Sequence, residues 1–544
     1  MLSSSIRLAL KILLYILISL FAPPASLSAG VAETPTPAPA ASVPESRTKA
    51  DPTSATPVAS SEVPSSAVES SVVKIFSTVR YPALYKPWTK QAPSEVTGSG
   101  VVIRGNRILT NAHVVLYASE VQIQANQGGD RISATIEFIE PGIDLAILKL
   151  DDESFFASHR PLPVAKTLPD IQDAVRVYGY PTGGTGLSVT KGIVSRIEFA
   201  GYNYSVSGLR IQIDAAINAG NSGGPVVVGD RMVGLAFSRL DGSQNIGYII
   251  PLEEIELFLQ DVADGHYDGK PAMYDYLQTL ENPALRSFLK LGKTIEGIIV
   301  HKPYRDEANY PLKEWDVITR IGDEPVDNQG LIKLKGSLRV RFQYLIQKIA
   351  REGKVPLTIF RSGKELKVDL PTSSRRARLI PDLRGTHPSY FIYGPLVFSE
   401  ASSQLISDYG DGNKAADWLL DLAYMASPLL ARAGDTPDSE GQRLVFVSSP
   451  FFPHRLSKGY SNPSQQAVKS INVKPVKNLA YLVEMLRDSK DEFISIEFAM
   501  LGGETEVFPR AEMVAATEEI LNDNDVRNQG SPDTLAIWNA KPAR

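Results

Sequence analysis

Three side chains in this sequence have the types and settings needed for acyl transfer. Ser222 lies in the turn Gly220-Asn221-Ser222-Gly223-Gly224-Pro225, between the apolar runs 209–213 and 226–228. Glycines there permit backbone angles closed to other residues and leave room for a substrate backbone beside the hydroxyl. Such a turn can aim the amides of Gly220 and Ser222, with Asn221 between them, at one developing oxyanion. A serine hydroxyl is a weak nucleophile and needs a base and a group that orients the base. His113 follows the run Ile108-Leu109-Thr110-Asn111-Ala112, and Asp144 opens the buried run 145–150. An ordinary glycine-rich hairpin, a core histidine and a strand-capping aspartate are the plain alternatives, and the joint order His, Asp, Ser weighs against them.

These residues have to be held by strands. Short β-rich runs separated by Gly, Asn and Pro recur from residue 71 to 237, a pattern of all-β barrels or sandwiches. The stretch 82–95 lacks strand character and reads as a surface loop, and 252–259 has helical spacing. The motifs TNAHVV, DLAIL and GNSGGP resemble the three active-site motifs of the chymotrypsin-fold serine proteases of the HtrA/Deg family. Gly179-Tyr180-Pro181, the run 188–198 and the run 245–251 are similar to the Deg branch of plant organelles. The resemblance implies two six-stranded barrels with His113 and Asp144 on the first and Ser222 on the second. It also implies a primary substrate pocket based near Ala216 and Ile217 and walled by Phe237 and Ser238. Its lining is uncharged, Asp214 being expected to point elsewhere, so cleavage after small or medium aliphatic residues is expected.

At 544 residues the chain exceeds a single core. A net charge of −5 offers no electrostatic case for nucleic acid, and the absence of cysteine excludes disulfides and thiol chemistry. Arg7 and Lys11 with the apolar run 12–22 and small residues to 30 read as a signal peptide, 1–29, too short for a stable membrane span. An uncleaved leader would leave an N-terminal anchor. Residues 30–66, rich in Pro, Ala, Ser and Thr, read as a disordered linker.

The expected architecture is mainly β, a chymotrypsin-like double barrel at 67–265 followed by two PDZ-like α+β domains. The first, 271–372, carries Trp315-Asp316-Val317-Ile318-Thr319-Arg320-Ile321-Gly322-Asp323, which resembles a PDZ core hairpin although Trp315 departs from the pattern. Its stretch 274–291 reads as helix. Its peptide-binding edge is expected at Gly297, Ile298, Ile299 and Val300, since such domains add an extended peptide to a sheet edge. The second, 378–515, resembles the second PDZ-like domain of plant-type Deg proteases and carries a helical insert at 405–432. The tail 516–544 is expected to fray apart from a docking segment near 535–538.

The resulting expectation is an exported, periplasmic or extracellular serine endopeptidase that needs no ATP, metal or organic cofactor. Its partners would be unfolded or damaged polypeptides, and the resemblance suggests trimer-based homo-oligomers. The rival is a latent or chaperone-like peptide-binding scaffold with a regulated protease domain. An esterase is a third reading, which the PDZ-like modules disfavour.

Overall fold

The computed structural model describes residues 65–125, 129–184, 186–239, 247–410 and 415–541. The leader and nearly all of the linker lie outside these residues, as do Asn245 and Ile246 of the 245–251 motif. Within them, alternating apolar residues build two closed barrels, because each strand buries one face and closure removes sheet edges. The first has strand order β1-β2-β3-β6-β5-β4, with β1 (Val72–Val79), β2 (Ser94–Ile103), β3 (Arg107–Thr110), β4 (Ala118–Ala125), β5 (Ile132–Glu140) and β6 (Leu145–Leu150). The second runs β10-β11-β12-β9-β8-β7, with β7 (Ala174–Gly179), β8 (Ser188–Gly201), β9 (Ser207–Ile213), β10 (Pro225–Val228), β11 (Arg231–Arg239) and β12 (Gly247–Pro251). All pairings are antiparallel, and β6 and β10 are nearly free of polar residues because they are buried almost throughout. One turn of helix, α1 (Ala112–Val115), follows β3, and α2 (Leu252–Asp261) closes the barrels.

The next unit is a sheet of order β13-β14-β15-β19-β20, with β13 (Tyr276–Thr279), β14 (Ile298–Lys302), β15 (Val317–Ile321), β19 (Lys354–Arg361) and β20 (Lys364–Pro371). The short β16 (Glu324–Pro325) pairs with β15, and β17 (Leu331–Lys335) pairs with β18 (Leu338–Arg341). Here two expectations are corrected. The stretch 274–291 is not one helix: it forms β13 and then the short α3 (Pro283–Phe288). In consequence Gly297 to Val300 is not an edge, because β13 pairs with β14 on the side opposite β15. Ile298, Ile299 and Val300 are buried, and Gly297 is backed directly onto the Ile318 carbonyl. The outer strands of this sheet are β13 and β20.

This unit is bolted to the barrels through α2 and α4 (Gln343–Ile349). Glu254 is fully buried and accepts from Leu209 N (2.7 Å), Gln347 Nε2 (3.0 Å) and the ammonium of Lys270. Glu253 beside it accepts from Tyr344 Oη (2.8 Å) and Lys348 Nζ (2.6 Å).

The third unit holds β21 (Tyr390–Tyr393), β22 (Leu396–Glu400) and β23 (Val445–Val447) in one sheet. A second sheet contains β24 (Val468–Ile471), β25 (Lys474–Pro475), β26 (Phe493–Phe498) and β27 (Glu506–Pro509), in the order β25-β24-β26-β27. The insert is helical, at Ser403–Gly410, Ala415–Tyr424 and Pro428–Ala431. The tail expected to fray, 516–544, instead runs as helix over much of its described length. Arg510–Asp523 is one helix (α5) whose Met513, Ala516, Thr517 and Ile520 are buried. Pro532–Trp538 (α6) sets Trp538 against Phe391 (5.1 Å between ring centroids) and Tyr393 (6.1 Å).

The loop 82–93 departs from expectation too. Trp88 packs on Tyr390 and Phe452, at 6.5 and 5.3 Å between centroids, and Leu84 and Tyr85 join the cluster of Ile380, Leu405 and Phe446. The first barrel therefore extends an apolar tongue into the third unit. The lack of strand character in this stretch hid a docking element.

Candidate active site

Asn111, which joins β3 to α1, and His113 within α1 are both fixed by hydrogen bonds to Asp144. The Asn111 amide Nδ2 donates to the Asp144 carbonyl (2.9 Å), and the His113 backbone N–H donates to Asp144 Oδ1 (2.9 Å). The second carboxylate oxygen, Oδ2, faces His113 Nδ1 at 2.7 Å. Asp144 is 3% exposed and sits at φ +60°, in the left-handed region, whereas the imidazole side chain is 46% exposed. Desolvation in the cleft acts to lower the His113 pKa, but the hydrogen bond to Asp144 and its charge push it up and prevail. A carboxylate on Nδ1 leaves Nε2 as the free ring nitrogen in the neutral tautomer.

The serine turn is locked to the first barrel by Ser99 of β2. Ser99 Oγ donates to Gly220 O (2.7 Å) and accepts from Tyr180 N (2.8 Å), while Ser99 N donates to Ser222 O (2.8 Å). Gly223 lies at φ +85° with its α-carbon packed on the Ser99 carbonyl and Thr110 Oγ1, so no side chain fits there. The Ala219 carbonyl accepts from Thr182 N (2.7 Å), which turns the trans-related N–H of Gly220 the opposite way. Neither Gly220 N nor Ser222 N donates to any group among the described residues. Asn221 differs from its expected neighbours: its N–H is committed to Asn218 O (3.0 Å), and its side chain is buried against Gly179. The Ser222 hydroxyl donates to the Phe237 carbonyl at 3.4 Å and is not hydrogen-bonded to His113.

Of the expected pocket residues, Ala216 is half-buried and its carbonyl accepts from Thr190 Oγ1 (2.9 Å). Ile217 packs into the second barrel's core, against the α-carbon of Gly247. Phe237 stacks on Tyr202 with 5.2 Å between centroids, so it is its carbonyl that faces Ser222. Ser238 is on β11, and its side chain lies outside the described residues. Asp214 accepts from Ile193 N (2.5 Å) on the barrel's outer side. Among the described residues no group of three or more His, Cys, Asp or Glu could hold a metal ion, and no helix is long and apolar enough to cross a membrane.

Sequence reasoning gave neither Asn111 nor Ser99 a part in the site. Both act through backbone atoms far along the chain, a signal that no local pattern carries.

A trypsin-like peptidase domain model matches residues 98–235, and a PDZ domain model matches residues 381–533. The chain is 34% identical over 474 residues to Protease Do-like 2, chloroplastic, of Arabidopsis thaliana, covering 85% of this chain and 75% of that one. It is 32% identical over 435 residues to Protease Do-like 4, mitochondrial, of the same plant, covering 78% of each. Among solved structures it is similar to the HtrA-type protease AlgW with decapeptide, at 24% identity and a TM-score of 0.45, over 57% of this chain and 97% of that one. With two barrels, a PDZ region and this extent of identity, the chain belongs to the HtrA/Deg (Do-like) family of trypsin-like serine proteases.

Proposed function

We propose that Ser222, His113 and Asp144 are the hydrolytic triad of an endopeptidase acting on unfolded polypeptides. The observation that carries this is the 2.7 Å contact of His113 Nδ1 with a buried aspartate that also accepts the histidine's own backbone N–H. Asp144 fixes the tautomer, so Nε2 takes the proton as Ser222 Oγ attacks the scissile carbonyl, and later gives it to the leaving amine. Water then releases the acyl group from Ser222 by the same proton path. The unengaged amides of Gly220 and Ser222 stabilise the oxyanion, each contributing about 3–4 kcal/mol. Asp214 turned outward supports an uncharged primary pocket near Ala216, suited to aliphatic side chains.

Export of the mature chain is supported by the charged and apolar start of the sequence, and a role in clearing damaged proteins by the PDZ region beside the protease unit. Trimer-based assembly remains part of this reading. The second reading, a latent enzyme, is favoured by one observation: Ser222 Oγ donates to Phe237 O, so a rotation about its Cα–Cβ bond must precede attack. Casein hydrolysis and fluorophosphonate labelling of the full chain and its Ser222→Ala variant test the triad. A loss of about a million-fold in kcat with folding intact is expected; labelling that survives in the variant moves the nucleophile elsewhere. Labelling that quickens on addition of an unfolded polypeptide identifies the latent form.

A further inference from the structure

Asp144 ends a tight turn that begins at Glu140, the last residue of β5. Because it is a non-glycine residue at φ +60°, its conformation depends on its surroundings to impose it. The barrels supply part of that constraint. Glu140 Oε1 accepts from Gly142 N (2.7 Å), while Asn203, in the hairpin between β8 and β9, donates its N–H to Gly142 O (3.0 Å) and its side-chain amide to Pro141 O (3.1 Å).

A further tie comes from the other end of the chain. Arg384 of the third unit sets Nη1 3.3 Å from Glu140 Oε1 and donates from Nη2 to Tyr204 O (3.1 Å). The Glu140 and Arg384 side chains are 5% and 19% exposed. The residues after Arg384 seat on the chain just beyond His113. Gly385 packs on Leu116, the Tyr117 hydroxyl donates to Thr386 O (3.1 Å), and the rings of Tyr117 and His387 lie 5.6 Å apart. One segment thus touches both the turn that carries Asp144 and the strand entry that follows His113.

We propose that Arg384 is a positioning residue for hydrolysis: its guanidinium joins Glu140 to the β8–β9 hairpin and so holds Asp144 in register with His113. The proposal rests on reading His113, Asp144 and Ser222 as the triad. A planar guanidinium can serve the carboxylate and the carbonyl together, which a single ammonium cannot do in the same geometry. Burial pushes the Glu140 carboxyl above its usual range, against the pull of Arg384, the Gly142 N–H and the more distant Arg375, with Asp261 opposing them. Without Arg384 that carboxylate is left buried and largely uncompensated, and the turn it organises loses its anchor.

The test uses full-length Arg384→Ala and Arg384→Lys beside Ser222→Ala, with kcat and KM on unfolded casein and the pH profile of kcat/KM. Arg384→Ala is expected to lower kcat about 10–100-fold, as a catalytic group displaced by about an ångström does, with KM within about 2-fold. Its acid limb should move to lower pH, because His113 loses part of the upward push from Asp144. Arg384→Lys should fall between. If Arg384→Ala does not fold, Arg384→Lys and Glu140→Gln carry the test, with smaller losses and the same direction of the limb. An unmoved limb, whether activity is intact or merely reduced with the folded fraction, overturns the proposal. A Ser222→Ala variant that still cleaves refutes the triad instead, so the two failures are distinguishable.

Discussion

Ser99 has no part in bond making, yet its hydroxyl and amide together hold both residues that flank Asn221. Replacing Ser99 by Ala leaves Gly220 O and Tyr180 N unpaired inside the protein, at a cost of about 1–3 kcal/mol for each orphaned group. The turn carrying the Gly220 amide then loosens. We expect Ser99→Ala to reduce kcat at least about 10-fold with KM little changed, and to lower the melting temperature. Steady-state kinetics and a thermal melt check this; wild-type kcat would show that the turn holds itself. The proposed triad, His113, Asp144 and Ser222, was legible as a candidate because each residue sits in a run of adjacent residues whose types carry the chemistry. Ser99, Asn111 and Arg384 were not, because their partners are distant in the chain and a serine, an asparagine or an arginine is common in any loop. Asn221 was misjudged for a related reason: which of three consecutive amides is free depends on the partner at Asn218, which composition does not reveal.

At the scale of elements, barrel strands were readable from alternation, but the partner of a strand was not. The apolar spacing across 274–291 suits a helix as well as a short strand followed by a turn, and short runs cannot be separated by period alone. Hence β13 went unseen and β14 was taken for an edge. The pairing of β26 with β27 has an energetic counterpart. It buries Glu506 opposite Ile496, at 1% exposure, with Oε2 lacking a partner and Glu504 close by. Burial pushes the Glu506 carboxyl from 4.5 up to about 8. A carboxyl raised in the folded state favours folding while protonated. Its contribution is therefore complete below pH 4.5 and is lost as pH rises through about 8. Glu506→Gln should remove that slope and raise stability at pH 8 by about 1–3 kcal/mol. Urea unfolding of both proteins at pH 5 and pH 8 measures it; parallel pH dependences would refute it.

For the molecule as a whole, three units form one piece through two seams. One is the carboxylate pair Glu253 and Glu254 under α4, and the other is the tongue 82–93 with the segment 384–387. The second seam is hinged on Trp88, so Trp88→Ala, removing roughly 3 kcal/mol of aromatic burial, should free the third unit. Limited proteolysis should then cut near residues 372–380 faster than in the wild type, and casein hydrolysis should fall. Equal digestion rates would mean that the seam does not depend on the indole. The return of the last unit to the first barrel was not legible, since no local property of residues 84–88 or 384 announces a partner so distant in the chain. That return has a consequence in time. Arg384 leaves the ribosome 244 residues after Glu140, a delay of roughly 12–50 s at about 5–20 residues per second. Both barrels are made by then, yet the turn bearing Asp144 still lacks its clasp. A growing chain would thus stay about 10–100-fold less active towards itself and its neighbours until its final third was synthesised.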